Sequence, residues 1–130
     1  AALLEDAADD PASRERLVAA GTDHRYTEGF ARGLVAATFG QIAPDAFVSY
    51  ARDAARTDVS ADARLLTLPV LALVGQFDPA CGEQAARENI ASVYVDTSIE
   101  VIQGAGHYPQ VEAPAATLAV IERFLGQPGR

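Results

Sequence analysis

The chain contains no lysine, no methionine and no tryptophan, and it has a single cysteine. Each absence narrows the chemistry. Without lysine there is no Schiff-base nucleophile and no Walker-type phosphate loop; all ten basic residues are arginines. One cysteine, Cys81, allows no internal disulfide and no multi-cysteine metal site, and nothing else in the sequence suggests a metal or an organic cofactor. Positive charge is scarce: the formal net charge is −8, which argues against nucleic acid or an anionic membrane as partner, since both need clustered cations. No apolar run is long enough for a membrane span. The expected location is the cytoplasm, although the absence of a visible signal peptide says little in a chain whose original start is not fixed. The chain opens on Ala1 and not on Met, so it reads as processed or as a piece of something longer.

What is present is a globular composition: 49% of the residues are hydrophobic and 22% charged over 130 residues. Residues 1–9 are Ala-rich and acidic with no clear period, the pattern of a helix end or a frayed terminus. Asp10-Pro11 supplies an N-cap and a first helical proline, and Gly21 a stop, for a helix over about 11–20. Thr27 can cap a second helix over about 28–39, with Phe30, Leu34, Val35 and Ala37 at helical spacing. A third begins near Pro44-Asp45 and places Phe47, Tyr50, Ala51 and Ala54 on one stripe. A short helix after Thr57-Asp58 runs toward Leu66, so residues 1–66 read as helices with no strand candidate.

The texture changes at residue 67. Val70-Leu71-Ala72-Leu73-Val74 is a continuous apolar run, the signature of a parallel strand covered on both faces. It breaks at Gly75-Gln76-Phe77-Asp78-Pro79. A helix over about 82–93 follows, with Ala85, Ala86, Ile90 and Val93 on one stripe. Next comes a strand over about 99–102, then Gly104-Ala105-Gly106-His107 and a helix from Pro114 to Leu125, closed by Gly126-Gln127-Pro128-Gly129. In that last helix Leu118, Ile121, Phe124 and Leu125 are the expected buried stripe. Two strands thus end in glycine-containing loops, one presenting Asp78 and the other His107. In an open α/β sheet, chemistry sits just past the carboxyl ends of the strands. Two strands alone do not make a stable sheet, so further strands are expected from another chain or another segment.

These motifs give the chain a resemblance to the α/β-hydrolase family. Leu68-Pro69-Val70-Leu71-Ala72-Leu73-Val74-Gly75-Gln76-Phe77-Asp78-Pro79 resembles the family's penultimate strand, whose loop holds the acid of a catalytic triad. Gly104-Ala105-Gly106-His107-Tyr108-Pro109-Gln110-Val111-Glu112-Ala113-Pro114 resembles the loop that holds the triad histidine. The resemblance implies Asp78 as acid, His107 as base, and an α/β class fold in two parts. Residues 1–66 would be a helical cap or lid, and 67–130 the C-terminal part of the core with the last two parallel strands and their helices. The family's nucleophile elbow, usually Gly-x-Ser-x-Gly, is absent: none of Ser13, Ser49, Ser60, Ser92 or Ser98 lies in such a motif. The implied partner is therefore an N-terminal half that carries the nucleophile.

The implied reaction is hydrolysis of an ester, thioester or lactone-type bond in a small apolar substrate by a Ser-His-Asp mechanism, without metal or cofactor. An imidazole exchanges a proton near neutral pH, and a carboxylate on its other nitrogen fixes the tautomer. Phe30, Leu34, Phe39 and Phe47 would line the inner face of the cap. The expected substrate-binding residues of the cap are Phe30, Leu34, Phe47 and Tyr50; Tyr26 and Tyr50 also read as packing residues, or as the cap tyrosines that epoxide hydrolases of this family use. Alternatives on the same Asp78–His107 pair are an epoxide hydrolase, a C–C hydrolase, a perhydrolase, or a non-catalytic ligand-binding relative. Among the remaining polar residues, His24 reads as solvated, Cys81 as a small buried filler, and Glu112 as a structural partner of the last helix.

Overall fold

A computed structural model describes residues 2–127, with side chains from residue 5 onward. Pro128 and Gly129, expected to help close the last helix, lie outside the described residues. The chain divides into two compact units: residues 1–20 with 24–58, and residues 21–23 with 59–130. The division falls at Asp58/Val59, ahead of the change of texture in the sequence, because the short helix before the first strand goes with the strands.

The first unit is helical: α1 (Ala2–Asp9), α2 (Pro11–Gly21, whose last residue belongs to the second unit), α3 (Glu28–Thr38) and α4 (Pro44–Arg56). The acidic N-terminal stretch is thus a helix, and α1 packs against α4. Asp10 starts α2 as its pattern suggests, accepting hydrogen bonds from the amides of Ala12 and Ser13 at 3.1 and 3.0 Å. Arg14 then reaches back to the end of α1, donating from Nε to the Ala7 carbonyl at 2.8 Å. A helix end leaves its last carbonyls without intrahelical donors, and the guanidinium supplies one. The same guanidinium lies over the rings of Phe39 and Phe47, 5.0 and 4.3 Å from their centroids. Helix α4 meets α1 on its Val48 and Arg52 side, where Arg52 pairs with Glu5. That orientation leaves Tyr50, half a turn from Val48, 79% exposed, so the expected stripe of α4 is only half-buried at Phe47 and Ala51.

The second unit contains α5 (Ser60–Ala63), β1 (Val70–Gly75), α6 (Glu83–Asn89), β2 (Thr97–Ile102), α7 (Pro109–Glu112) and α8 (Pro114–Leu125). Strands β1 and β2 pair in parallel, from Val70 opposite Thr97 to Gly75 opposite Ile102. Among the described residues they form a two-stranded sheet, with α6 in the crossover. Parallel strands need such a crossover because their ends lie on opposite edges of the sheet. Burial increases toward the carboxyl ends: Val70 to Leu73 are half-buried, Val74 and Gly75 buried, and Ile102 and Ala105 complete that end of the core.

Helix α8 presents a slightly rotated face relative to expectation. Thr117 is the buried residue, its hydroxyl donating to the Pro109 carbonyl at 2.9 Å, with Val120, Ile121 and Phe124 half-buried beside it. Leu118 and Leu125 are 55% and 66% exposed. The Thr117 bond to α7 and the Arg123–Glu100 pair to β2, at 2.9 Å, set the rotation of the helix.

The strand ends approach each other closely. A Cβ on Gly75 would overlap the Gly106 carbonyl oxygen and lie 2.7 Å from that of Ala105. The obstructing atoms are backbone, so they yield only if the loop moves. Gly75→Ala is therefore expected to destabilise the protein by about 1–3 kcal/mol, the usual cost of overpacking a tight site, as read by urea unfolding. An unchanged midpoint would show that the loop gives way freely.

Candidate active site

Asp78 and His107 come from the loops that follow β1 and β2. They meet because the two strands are neighbours in register. The Asp78 loop folds around its own carboxylate. Oδ1 accepts the amides of Ala80 and Cys81, both at 2.9 Å, which leaves Oδ2 facing the imidazole. His107 Nδ1 lies 2.8 Å from that oxygen. The Asp78 side chain is 5% exposed and the His107 side chain 40%. The pair thus has a sequestered end and an open end.

Burial alone would push the Asp78 carboxyl up. The two amide donors and the imidazole outweigh it, and the carboxyl is held below the usual aspartate range. An ionised carboxylate only accepts hydrogen bonds. Nδ1 is therefore the donor in this contact, and the imidazole is the more exposed partner of the pair.

The histidine is held from behind by three successive amides. His107 N donates to the Gly21 carbonyl at 3.0 Å. On either side, Gly106 N donates to Glu112 Oε2 at 2.7 Å and Tyr108 N to Glu112 Oε1 at 2.8 Å. One carboxylate thus brackets the residue that carries the imidazole. Gly106 leaves room for this arrangement, since a Cβ there would lie 2.9 Å from the Gly21 oxygen and 3.3 Å from Glu112 Oε1. Gly104 takes a left-handed φ of 77°, which starts the turn. Its amide is received by the Gln76 side chain at 3.0 Å, and Phe77 N donates to the Ala105 carbonyl at 2.8 Å, so the two loops are stitched together. The Tyr108 ring stands edge-on to the imidazole, 5.1 Å between centroids. Burial, followed by the negative charges of Glu112 and Asp78, raises the Tyr108 hydroxyl above its ordinary value.

The structure thus brings Asp78 and His107 together. The other expected site residues belong to the first unit. Phe30 is half-buried and stacked on Tyr26 at 4.4 Å; Leu34 is half-buried one turn along α3; Phe47 lies under Arg14; Tyr50 is largely exposed. His24 is exposed, as its polar surroundings suggest. Cys81 is not a buried filler. It turns its amide toward the Asp78 carboxylate, and its side chain is exposed. Glu112 is more than a partner of the last helix, because both its oxygens serve the histidine loop. Its position, in the short turn between Pro109 and Pro114, is the sequence signal that points to it.

No family model and no curated protein matches the chain. A solved structure does: the crystal structure of E-2-(acetamidomethylene)succinate hydrolase is similar over 95% of this chain, with a TM-score of 0.64 and 23% sequence identity. The protein therefore has the α/β-hydrolase fold, as a C-terminal portion of it. The chain spans about half the length of that structure, 51% of it being covered.

Two outcomes follow from this geometry. Glu112→Ala leaves the amides of Gly106 and Tyr108 without acceptors and is expected to cost about 1–3 kcal/mol of stability; hydrogen exchange should accelerate at those two amides more than at Phe77. Equal acceleration throughout would mean general loosening instead of a local role. Asp78 has a lowered native value, so its contribution to stability is complete above the ordinary aspartate range and is lost as pH falls through that lowered value. The stability difference between wild type and Asp78→Asn should accordingly shrink on acidification; a difference independent of pH would contradict the ionised state.

Proposed function

We propose that the chain is the cap and C-terminal part of a serine-type hydrolase that cleaves an ester, thioester or lactone-type bond. Its nucleophile would come from an N-terminal half, as a second chain or another segment. The observation that carries this reading is the 2.8 Å contact between Asp78 Oδ2 and His107 Nδ1 at the carboxyl ends of adjacent parallel strands. The buried carboxylate holds the proton on Nδ1, so Nε2 is free to accept the proton of a serine hydroxyl as its oxygen attacks the substrate carbonyl carbon. His107 then gives that proton to the leaving group. In the second half of the reaction it takes a proton from water, which attacks the acyl-enzyme, and returns it to the serine. Asp78 stabilises the imidazolium throughout.

The unfinished surface of the sheet supports the proposed partner. Val70 to Leu73 are apolar yet only half-buried, and a groove of about 440 Å³ runs along β1 and α6, lined by Leu71, Leu73, Ala85 and Ile90 among others. A parallel strand of this composition is stable when covered on both faces; helices of an N-terminal half would provide that cover while its strands extend the sheet at the edge. In this reading residues 1–66 form the lid over the substrate. Phe30, Leu34, Phe47 and Tyr50 present the apolar surface that receives a small acyl or alcohol group.

The test is made on the complete assembly with a panel of short esters, thioesters and lactones and a serine-directed phosphonate probe. The probe should label a serine in the partner polypeptide. Asp78→Asn should lower kcat about ten-thousandfold, as loss of the acid does in such triads, and His107→Ala should lower it at least as much. Near-normal turnover in either variant, or a labelled residue within this chain, would overturn the assignment.

A further inference from the structure

Cys81 plays no part in the acid–base scheme, yet it stands beside it. A carboxylate oxygen of Asp78, a ring nitrogen of His107 and Cys81 Sγ all lie within 4.8 Å of one another. The three donors are set by local structure. The amide of Cys81 is fixed to Asp78 Oδ1 at 2.9 Å, and the imidazole is fixed to Oδ2 at 2.8 Å. Cys81 and His107 are both exposed, which leaves a path for an ion from solvent.

We propose that Asp78, Cys81 and His107 form a binding site for a thiophilic divalent cation, zinc or cadmium, that is mutually exclusive with the acid–base role of the pair. One thiolate, one imidazole and one carboxylate suit a borderline or soft ion and not magnesium or calcium. Bond lengths of about 2.0–2.3 Å place tetrahedral zinc ligands roughly 3.3–3.6 Å apart, so side-chain shifts of about 1 Å close the present triangle. A fourth position faces solvent and takes water. The nitrogen that faces the carboxylate is Nδ1, so an ion shared by Asp78 and His107 takes the place of the proton between them. The cysteine binds as its thiolate, its proton going to solvent, and the imidazole binds through Nδ1 with its proton on Nε2. With Nε2 protonated and Nδ1 on the metal, the ring has no lone pair left to accept a proton. The Asp78 carboxylate, already ionised, adds its charge without a further protonation step.

Binding rests on this geometry alone; its consequence for turnover rests on the hydrolase reading. The experiment separates the two. The protein in its natural assembly is titrated with cadmium chloride while the thiolate-to-metal charge-transfer absorption is followed, and with zinc chloride by calorimetry in two buffers of different ionisation enthalpy. One cation per chain, a charge-transfer band and net proton release are expected. Cys81→Ser and Cys81→Ala should each lose the band and weaken zinc binding by more than about a hundredfold, beyond the roughly 10–100-fold that loss of an outer-shell partner costs. Metal-free ester turnover by both variants should match wild type. Zinc should suppress turnover reversibly in wild type, with recovery on chelation, and at the same concentration leave the variants active. No band, or equal zinc affinity in wild type and both variants, overturns the site. A band with stoichiometric binding in a protein that turns over no ester leaves the site standing and removes the hydrolase reading. Zinc inhibition equal in wild type and variants overturns the link between Cys81 and the pair.

Discussion

The backbone at Gly75 and that of Gly106 come together with no space for a side chain between them. That approach is possible because the two parallel strands end in register, Gly75 opposite Ile102. The remaining geometry of the site depends on it. Once the chain at Gly106 lies against the end of β1, the Phe77 amide reaches the Ala105 carbonyl and the Gln76 side chain reaches Gly104. The Asp78 carboxylate and the His107 ring then face each other at hydrogen-bond distance. A side chain at Gly75 would push the two loops apart, whereas one at Gly106 would press on Gly21, Thr22 and Glu112 behind the histidine.

Polar groups behind the pair hold it in place. Asp78 is nearly inaccessible, and a buried charge is costly unless donors surround it. Two amides of its own loop and the imidazole provide them, and their sum exceeds the cost of burial. The histidine loop uses the complementary device. Its amides would be unpaired where the strand has ended and the next helix has not begun, and Glu112 takes two of them while Gly21 takes the third. A carboxylate that accepts two amides is a strong fastening because each bond is charge-assisted. The imidazole is therefore oriented by the acid in front and by its own backbone behind, while its far edge remains accessible.

The exposed apolar surface bears on how the chain completes its core. Leu65, Leu68, Val95, Leu118 and Leu125 are each more than half exposed, and the side chains of β1 are only partly covered. Exposed apolar area on this scale is characteristic of a surface that meets another one. It accords with a chain that spans about half of a structure with the same fold.

Local chemistry made much of this legible from the sequence. The continuous Val70–Val74 run marked a strand, which β1 is, although Val70 to Leu73 are only half-buried. Asp10-Pro11 and Pro114 marked helix starts, both at their observed positions. Two strand-end loops with Asp78 and His107 pointed to a pair, because strands that feed a common sheet deliver their loops to one edge. Other features depended on distance in the chain. Helix α1 lacks a clear period, and its end is satisfied by Arg14, outside it. The rotation of α8 was set by Thr117 and Arg123 reaching α7 and β2, so Leu118 and Leu125 turned outward although their spacing is that of a buried stripe. Glu112 and Cys81 look like ordinary surface and filler residues in the sequence. Only the folded loops place one behind the histidine and the other beside it. The sequence by itself determined that Asp78 and His107 stand at the carboxyl ends of neighbouring strands, since that follows from strand pattern and loop context. Tertiary structure decided which groups orient and surround them, because the hydrogen bonds that Gly21 and Gln76 accept exist only after distant segments meet, and those that Glu112 accepts only once the histidine loop has folded back on it.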